Sequence, residues 1–181
     1  MNTKTKLMVQ IALVTAVICV LSPFTIPLPF SPVPISLTIF AIYLGLYALN
    51  WKWGTVSILL YILIGLVGVP VFSGFSGGPG KLLGPTGGYI IGYIFVGIIA
   101  GWFIDKSDKI YMHAIGMVIG VAVCYAFGTV WFMYVYARTS GPIGVMTALS
   151  WCVLPYLLPD AVKIALASVL ATRLSDIIHV D

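Results

Sequence analysis

Two oppositely charged residues lie deep in an apolar stretch near the C-terminal end of the sequence. Asp160 and Lys163 stand three positions apart in the segment LPDAVKIALASVLA. Residues at that spacing share one face of a helix, so the carboxylate and the ammonium group point the same way. Together they can accept and donate charge-assisted hydrogen bonds, which is the chemistry needed to bind a small polar ligand.

The depth of this pair indicates where it must face. Counting back from Arg173 along a helix places Asp160 about 20 Å and Lys163 about 15 Å from the end of the apolar span. A charge at the centre of a membrane helix costs at least ~2.5–3.5 kcal/mol on insertion scales, so the pair must face the interior of a helix bundle. We favour a ligand site there. A structural ion pair and a proton relay are the alternatives, and the relay is weaker because no further Asp, Glu or His extends it.

A glycine-rich segment is the second candidate for ligand binding. Residues 69–88 contain seven glycines and three prolines. Glycine lets the backbone approach a ligand closely, and Phe72 and Phe75 favour an ordered, packed loop over a flexible connector. The loop leads at Gly88 into a predicted helix, whose N-terminal amides are suited to hold a carboxylate.

The elements that position these residues are predicted to be membrane helices. Of the 181 residues, 61% are hydrophobic and 8% are charged, whereas a soluble domain carries about 25% charged residues. Lipid must therefore cover most of the surface, and at about 20 residues per span the chain allows six helices in one domain. They are predicted at residues 6–21, 35–50, 54–68, 88–104, 110–137 and 143–174, with a proline break near 155–159.

The connections between these helices are predicted from proline and aromatic residues. Residues 22–34 carry five prolines, which cannot form a helix interior, so we expect an extended loop. Residues 51–53, with the sequence Trp-Lys-Trp, are predicted to form a turn at the membrane interface. Among the many aromatic residues of the fifth helix, Tyr125 lies deepest, and we expect it to line an apolar pocket wall.

The distribution of basic residues predicts the orientation in the cell membrane. With six spans both termini lie on one side. The basic residues on that side are Lys4, Lys6, Lys52, Lys106, Lys109 and Arg173, whereas Lys81 and Arg138 fall on the other side. This bias predicts that both termini are cytoplasmic and that the proline-rich and glycine-rich loops lie outside.

Several functions are excluded by what the sequence lacks. It has no nucleotide-binding GxxxxGK[ST] loop and no HExxH, GxSxG or paired catalytic carboxylates, so we expect neither an enzyme nor a cofactor. The three cysteines lie in apolar stretches without a CxxC pair, so no metal site is predicted. The basic residues are scattered, which does not indicate nucleic-acid binding. If ATP powers transport, another subunit must hydrolyse it.

Three segments carry a family resemblance. The stretch GLVGVPVFSGFSGGPGKLLGPTGGYIIGY, residues 65–93, resembles the signature of the BioY family, the biotin-capturing S components of energy-coupling-factor (ECF) transporters. The segment LPYLLPDAVKIALA, residues 154–167, is similar to the second family motif, and PVPISL, residues 32–37, is similar to the proline-rich first loop. The chain departs from the family at Thr38, where a glutamine is common.

The resemblance implies high-affinity capture of biotin from outside the cell by a six-helix bundle. It implies docking on a membrane scaffold subunit driven by two ATPase subunits, through an alanine motif that Ala12 and Ala16 match. Asp160 is then expected to accept a hydrogen bond from a ureido N–H, and Lys163 to donate one to the ureido carbonyl. The carboxylate is expected at Lys81 or at the amides that begin the fourth helix. The substrate-binding residues so implied are Asp160, Lys163, Phe72, Phe75, Gly77, Gly78, Gly84, Thr86, Gly87, Gly88, Tyr89 and Tyr125.

Two alternative functions remain open from the sequence. One is an S component for another small vitamin. The other is a structural membrane protein whose internal Asp160–Lys163 pair only holds helices together. In the second case no ligand would protect the pair, and exchanging the two residues would be harmless.

Overall fold

The computed structural model describes the backbone of residues 3–178 and the side chains of residues 3–170. Over this part the chain forms eight helices and one β-hairpin. The elements are α1 (Thr3–Leu21), β1 (Thr25–Leu28), β2 (Ser31–Ser36), α2 (Thr38–Ala48), α3 (Trp51–Leu66), α4 (Pro79–Leu83), α5 (Gly87–Lys106), α6 (Ile110–Thr139), α7 (Val145–Cys152) and α8 (Leu154–Ile178).

Four helical stretches of the described chain are long and apolar enough to cross a membrane. They are Thr3–Leu21, Gly87–Lys106, Ile110–Thr139 and Val145–Leu170. The helices α2 and α3 are also apolar but contain only 11 and 16 residues. The prediction of a helical membrane protein is confirmed at this level.

The proline-rich residues after α1 form a hairpin rather than an unpaired loop. Its strands are antiparallel, with Thr25 opposite Ser36 and Ile26 opposite Ile35. The register shifts between Ile26 and Leu28, where Pro27 offers no N–H to the ladder. Both strands of a two-stranded hairpin are edge strands, which tolerate proline. Because β2 extends to Ser36, α2 begins three residues later than predicted.

The predicted turn at residues 51–53 is instead the first turn of α3. The side chain of Asn50 caps this helix, since its Oδ1 accepts a hydrogen bond from the Trp53 N–H at 3.1 Å. The Trp51 N–H donates to Asp105 Oδ2 at 2.8 Å. Two free amides of the helix start are therefore satisfied by side chains, which allows the helix to begin at Trp51.

The last apolar segment is divided at Val153, between α7 and α8. Pro155 lies in the first turn of α8, where an amide proton has no partner within the helix, so proline is tolerated there. Pro159 lies inside α8. The division lets α7 pack against α6 and β2, while α8 packs against α2 and α6.

Helix α5 lies at the centre of the bundle and packs against α2, α3 and α6. Small residues allow the close contact between α5 and α6. A Cβ atom added to Gly92 would lie 2.7 Å from Cys124 Sγ, and one added to Gly120 would lie 3.3 Å from Val96 Cα. Close helix approach at glycine is typical of membrane bundles. The close contact of α5 with α6 places Tyr89 and Tyr93 of α5 across from Asp160 and Lys163 of α8.

Candidate ligand-binding site

The charged pair of α8 is buried inside the bundle. Asp160 is 4% exposed and Lys163 is 7% exposed, and Lys163 Nζ lies 2.7 Å from Asp160 Oδ1. The Tyr125 hydroxyl of α6 donates a hydrogen bond to the other carboxylate oxygen, Oδ2. Both oxygens are therefore engaged, and the carboxylate is fixed between α6 and α8.

This arrangement keeps capacity for further hydrogen bonds. An ammonium group has three donors, and each carboxylate oxygen has two lone pairs. The ion pair and the bond from Tyr125 use part of this capacity. The site can therefore both donate to and accept from a ligand placed beside Asp160 and Lys163.

A cavity of about 40 Å³ lies beside the pair. It is bounded by the hairpin and by helices α2, α5, α6, α7 and α8. We call it the chamber. Its lining residues are Val33, Pro34, Ser36, Ile39, Tyr89, Tyr93, Cys124, Tyr125, Cys152, Tyr156, Asp160 and Lys163. Asp160 and Lys163 line this space and are almost fully buried, so their functional groups face the interior of the bundle.

The hairpin forms one wall of the chamber and is tied to α8. The Tyr156 hydroxyl lies 2.8 Å from Ser31 Oγ and also donates to the carbonyl oxygen of Val33. Tyr156 is buried and stands one helical turn before Asp160, so both side chains lie on the same face of α8. The helix that carries the charged pair thus also holds the hairpin in place.

Two tyrosines from α5 form the opposite wall. Tyr89 and Tyr93 are four residues apart and therefore lie on one helix face. The Tyr89 hydroxyl lies 3.0 Å from Thr129 Oγ1 of α6, which fixes its ring at the chamber. Such aromatic walls suit a partly apolar ring system.

The structure brings four of the predicted site residues to the chamber, namely Tyr89, Tyr125, Asp160 and Lys163. Phe72 does not line it, because its ring is fully buried against Tyr61, with ring centroids 5.4 Å apart. Phe75 also lies away from the chamber, since its side chain is 63% exposed and its ring contacts the ring of Phe24 edge to face.

The predicted glycines of the loop serve the fold of the loop itself. A Cβ atom added to Gly77 would lie 2.4 Å from the carbonyl oxygen of Val69. Gly78 has a φ of +88°, and its N–H donates to the carbonyl oxygen of Gly65 at 2.7 Å. These contacts explain the glycines without a ligand, and neither residue lines the chamber.

The start of α5, predicted to hold a carboxylate, is covered by the chain's own residues. A Cβ atom added to Gly87 would lie 1.6 Å from the carbonyl oxygen of Leu82 in α4, and one added to Gly88 would lie 2.3 Å from Trp131 Cβ. The carbonyl oxygen of Gly84 accepts a hydrogen bond from Trp131 Nε1 at 3.0 Å. Thr86 is buried beside these residues. None of these four predicted residues lines the chamber.

Lys81 also lies outside the chamber. It is half-buried in the short helix α4, and this burial lowers the pKa of its ammonium group below the ordinary lysine value. No chamber-lining position belongs to α4 among the residues that the structure describes. A ligand carboxylate held in the chamber would therefore need another partner.

Several chamber residues were not predicted from the sequence. Tyr156 had a usable signal, because it stands four residues before Asp160 on the same apolar helix. Tyr93 had a similar signal, one turn after Tyr89. The hairpin residues lie in the segment PVPISL that carries part of the family resemblance. Their position at the chamber could not be predicted, because it depends on the fold between α1 and α2 and on a contact with α8.

The fold and the site together define a membrane protein with a chamber built around a buried ion pair. The chain belongs to the BioY family, which it matches over residues 1–179. The resemblance found in the sequence motifs is thereby confirmed.

Relatives with curated names support this membership. The chain is 34% identical over 149 residues to the biotin transporter BioY of Thermotoga maritima, covering 82% of this chain and 85% of the relative. It is 39% identical over 149 residues to the probable biotin transporter BioY of Pyrococcus horikoshii, with the same coverage of 82% and 85%. These relatives are transporters, which confirms that the chain is not an enzyme.

A solved structure has the same fold. It is the crystal structure of the S-component for biotin from an ECF-type ABC transporter. The match has a TM-score of 0.84 and 31% sequence identity, and it covers 97% of this chain and 93% of the other. The arrangement of helices described above is therefore that of an S component.

Proposed function

We propose that this protein captures biotin from outside the cell and delivers it as the S component of an ECF-type ABC transporter. The observation that carries the proposal is the buried Asp160–Lys163 pair, 2.7 Å apart, in a chamber walled by tyrosines. The named transporters of the BioY family and the solved S-component support the same substrate.

The chemistry of biotin suits this chamber. Its ureido ring offers two N–H donors and one carbonyl acceptor. Asp160 accepts from a ureido N–H, and Lys163 donates to the carbonyl. Tyr89 and Tyr125 contact the apolar bicyclic ring. Charge-assisted hydrogen bonds are strong in a site that excludes water, so a few of them provide both affinity and selectivity.

Entry of the ligand requires a wall of the chamber to move. The cavity measures about 40 Å³, whereas pockets for small ligands are typically ~300–1,000 Å³. The hairpin is a two-stranded sheet that packs against α7 and is held to α8 through Tyr156. We therefore propose that biotin enters when the hairpin separates from Tyr156.

The topology proposed is six membrane spans with both termini in the cytoplasm. The short helices α2 and α3 count as two spans, and α7 with α8 forms the sixth. The lysines at residues 4, 6, 52, 106 and 109 then all lie on the cytoplasmic side, in agreement with the positive-inside rule. Arg173, which was counted with them, has a side chain that lies outside the described residues.

The face of α1 that carries Ala12 and Ala16 is proposed to dock on the scaffold subunit. Both alanines are exposed, and they border a groove of about 400 Å³ between α1 and α3 that also includes Thr15 and Leu60. Small residues on an exposed membrane helix let another helix approach closely. The scaffold subunit would connect this protein to two ATPase subunits.

Equilibrium binding with a panel of labelled vitamins tests the proposed substrate. The purified protein should bind biotin tightly and bind the other vitamins at least ~100-fold more weakly, about 2.7 kcal/mol in binding free energy. Preferential binding of another vitamin would contradict biotin but keep the S-component function. Failure to bind any of them would favour a structural role for the charged pair.

A further inference from the structure

Four hydroxyl groups form a continuous chain that ends at the chamber. The Tyr61 hydroxyl lies 2.5 Å from Ser22 Oγ, which lies 2.8 Å from Thr38 Oγ1. Thr38 Oγ1 in turn lies 3.0 Å from Ser36 Oγ. The chain starts in α3, passes the end of α1 and the start of α2, and ends in β2. Ser36 is the member that lines the chamber.

The three members of this chain that do not line the chamber are buried. Ser22 is 0% exposed, and Thr38 and Tyr61 are each 1% exposed. A buried hydroxyl that lacks a partner costs about 1–3 kcal/mol, so every proton in the chain needs an acceptor. This chain of hydroxyl groups is therefore a fixed part of the site. The direction in which its hydrogen bonds are donated depends on the groups at its two ends.

In each of these three contacts either hydroxyl can be the donor. A phenol is more acidic than an aliphatic alcohol and is the stronger donor, so the favoured direction runs from Tyr61 to Ser22, from Ser22 to Thr38 and from Thr38 to Ser36. Tyr93 lies beside Ser36 and Thr38 and supplies a second phenol at this end. In this direction the Ser36 hydroxyl accepts the bond from Thr38, which leaves its own proton available to an acceptor in the chamber.

We infer that the Ser36 hydroxyl donates a hydrogen bond to an acceptor oxygen of the ligand and is held in place for this by Thr38, Ser22 and Tyr61. This inference rests on biotin being the ligand. It deepens the proposed function by adding a neutral donor from the hairpin to the charged pair of α8.

Biotin carries two kinds of acceptor oxygen, in the ureido carbonyl and in the carboxylate. The start of α5 is covered by Leu82 and Trp131, and Lys81 lies outside the chamber. Ser36 is therefore a candidate partner for the carboxylate. The same donor can also serve the ureido carbonyl together with Lys163.

Substitutions that differ by one hydroxyl test the inference. Ser36→Ala should weaken biotin binding about tenfold, the range of a hydrogen bond to a charged or strongly polar group. Ser36→Thr keeps the hydroxyl and suits a β-strand, so it should bind within about twofold of wild type. Thr38→Val removes the hydroxyl of Thr38 while keeping the shape of the side chain, so it breaks the chain and should also weaken biotin binding. Thr38→Ser keeps the hydroxyl and should not weaken it.

Two analogues identify the oxygen. One has a methyl group in place of the carboxylate, and the other is iminobiotin, which has a nitrogen in place of the ureido oxygen. The difference between wild type and Ser36→Ala should vanish for the analogue that lacks the bonded oxygen. If the difference vanishes with the first analogue, Ser36 binds the carboxylate. If it vanishes with iminobiotin, Ser36 binds the ureido carbonyl.

The outcomes separate this inference from the proposed function. Wild-type affinity in Ser36→Ala, or an equal loss for biotin and both analogues, would overturn the donor role of Ser36. Unchanged affinity in Thr38→Val would overturn its positioning by the chain. If the wild-type protein itself did not bind biotin in the same assay, the proposed function would fail instead.

Discussion

Asp160 is held on both sides, by Lys163 on its own helix and by Tyr125 on α6. The sequence was sufficient to find the pair, because two charges in an apolar helix have few explanations. Tyr125 was expected at a pocket wall from its depth in the fifth helix. Its bond to Asp160 could not be predicted, since it depends on how α6 packs against α8.

Substitutions at the pair should lower biotin affinity. Asp160→Asn removes the negative acceptor and Lys163→Ala removes the ammonium donor, so each should weaken biotin binding at least ~10-fold, about 1.4 kcal/mol. Equilibrium binding to the purified variants measures this. Wild-type-like affinity in both variants would rule out their role as ligand partners.

Two controls separate ligand binding from stability. A single substitution leaves an unpaired buried charge, which is itself destabilising. The double substitution Asp160→Asn with Lys163→Gln avoids this charge and should still lose affinity. Exchange of the two residues keeps an ion pair, and a ligand site should lose binding on exchange, whereas a purely structural pair should not. Thermal unfolding in detergent reports stability for each variant.

The hairpin is the element that sequence reasoning missed. Prolines in residues 22–34 exclude a helix, but they do not exclude edge strands, and the pairing of β1 with β2 has no local signal beyond them. The start of α3 was misplaced because its cap at Asn50 and its contact with Asp105 join distant parts of the chain. Long apolar runs, by comparison, predicted α5 and α6 to within two residues at each end.

The bond between Tyr156 and the hairpin should control how long biotin stays bound. Tyr156→Phe removes the hydroxyl that contacts Ser31 and Val33 but keeps the ring. Because a net hydrogen bond contributes ~0.5–1.5 kcal/mol, biotin should dissociate about 3–10 times faster. Stopped-flow displacement of a labelled ligand measures this rate.

A matched control exists on the membrane-exposed surface. Tyr134 is 54% exposed, and its ring contacts Arg138 through its face. Tyr134→Phe removes a hydroxyl while keeping that ring, so its dissociation rate should equal that of wild type. An equal effect of both substitutions, or none from Tyr156→Phe, would contradict a hairpin held by Tyr156.

At the scale of the whole molecule, composition alone predicted a helical membrane protein, because 8% charged residues cannot cover a surface in water. The chamber could not be predicted in the same way. It is built from a hairpin and five helices, and of its lining residues only Tyr89, Tyr125 and the charged pair were predicted as site residues from the sequence. Orientation and subunit docking depend on the membrane and on partners, and each has its own test.

Docking through α1 predicts a defect in assembly without a defect in binding. Ala12→Leu and Ala16→Leu each place a bulky side chain on the exposed face of small residues, which prevents close approach of another helix. The scaffold subunit should then no longer copurify, while biotin affinity stays as in wild type. Ala126→Leu, at another exposed alanine on α6, is the matched control and should assemble normally. Normal copurification of both α1 variants would exclude this docking face.

Orientation predicts which side of the membrane each loop reaches. In a background with Cys19, Cys124 and Cys152 replaced by alanine, Arg138→Cys should react with an impermeant maleimide in intact cells. Lys109→Cys should react only after permeabilisation, because it is proposed to be cytoplasmic. Labelling in the opposite order would reverse the proposed topology.

The most direct test of the account is to identify what the protein holds when it is isolated. The wild-type chain should be purified from cells grown with biotin, and the ligand released by denaturation should be identified by mass spectrometry. We predict that biotin is released from the wild type and is absent from the Asp160→Asn and Lys163→Gln double variant. Wild-type protein without biotin, or equal amounts from both proteins, would contradict a biotin site built on the buried ion pair.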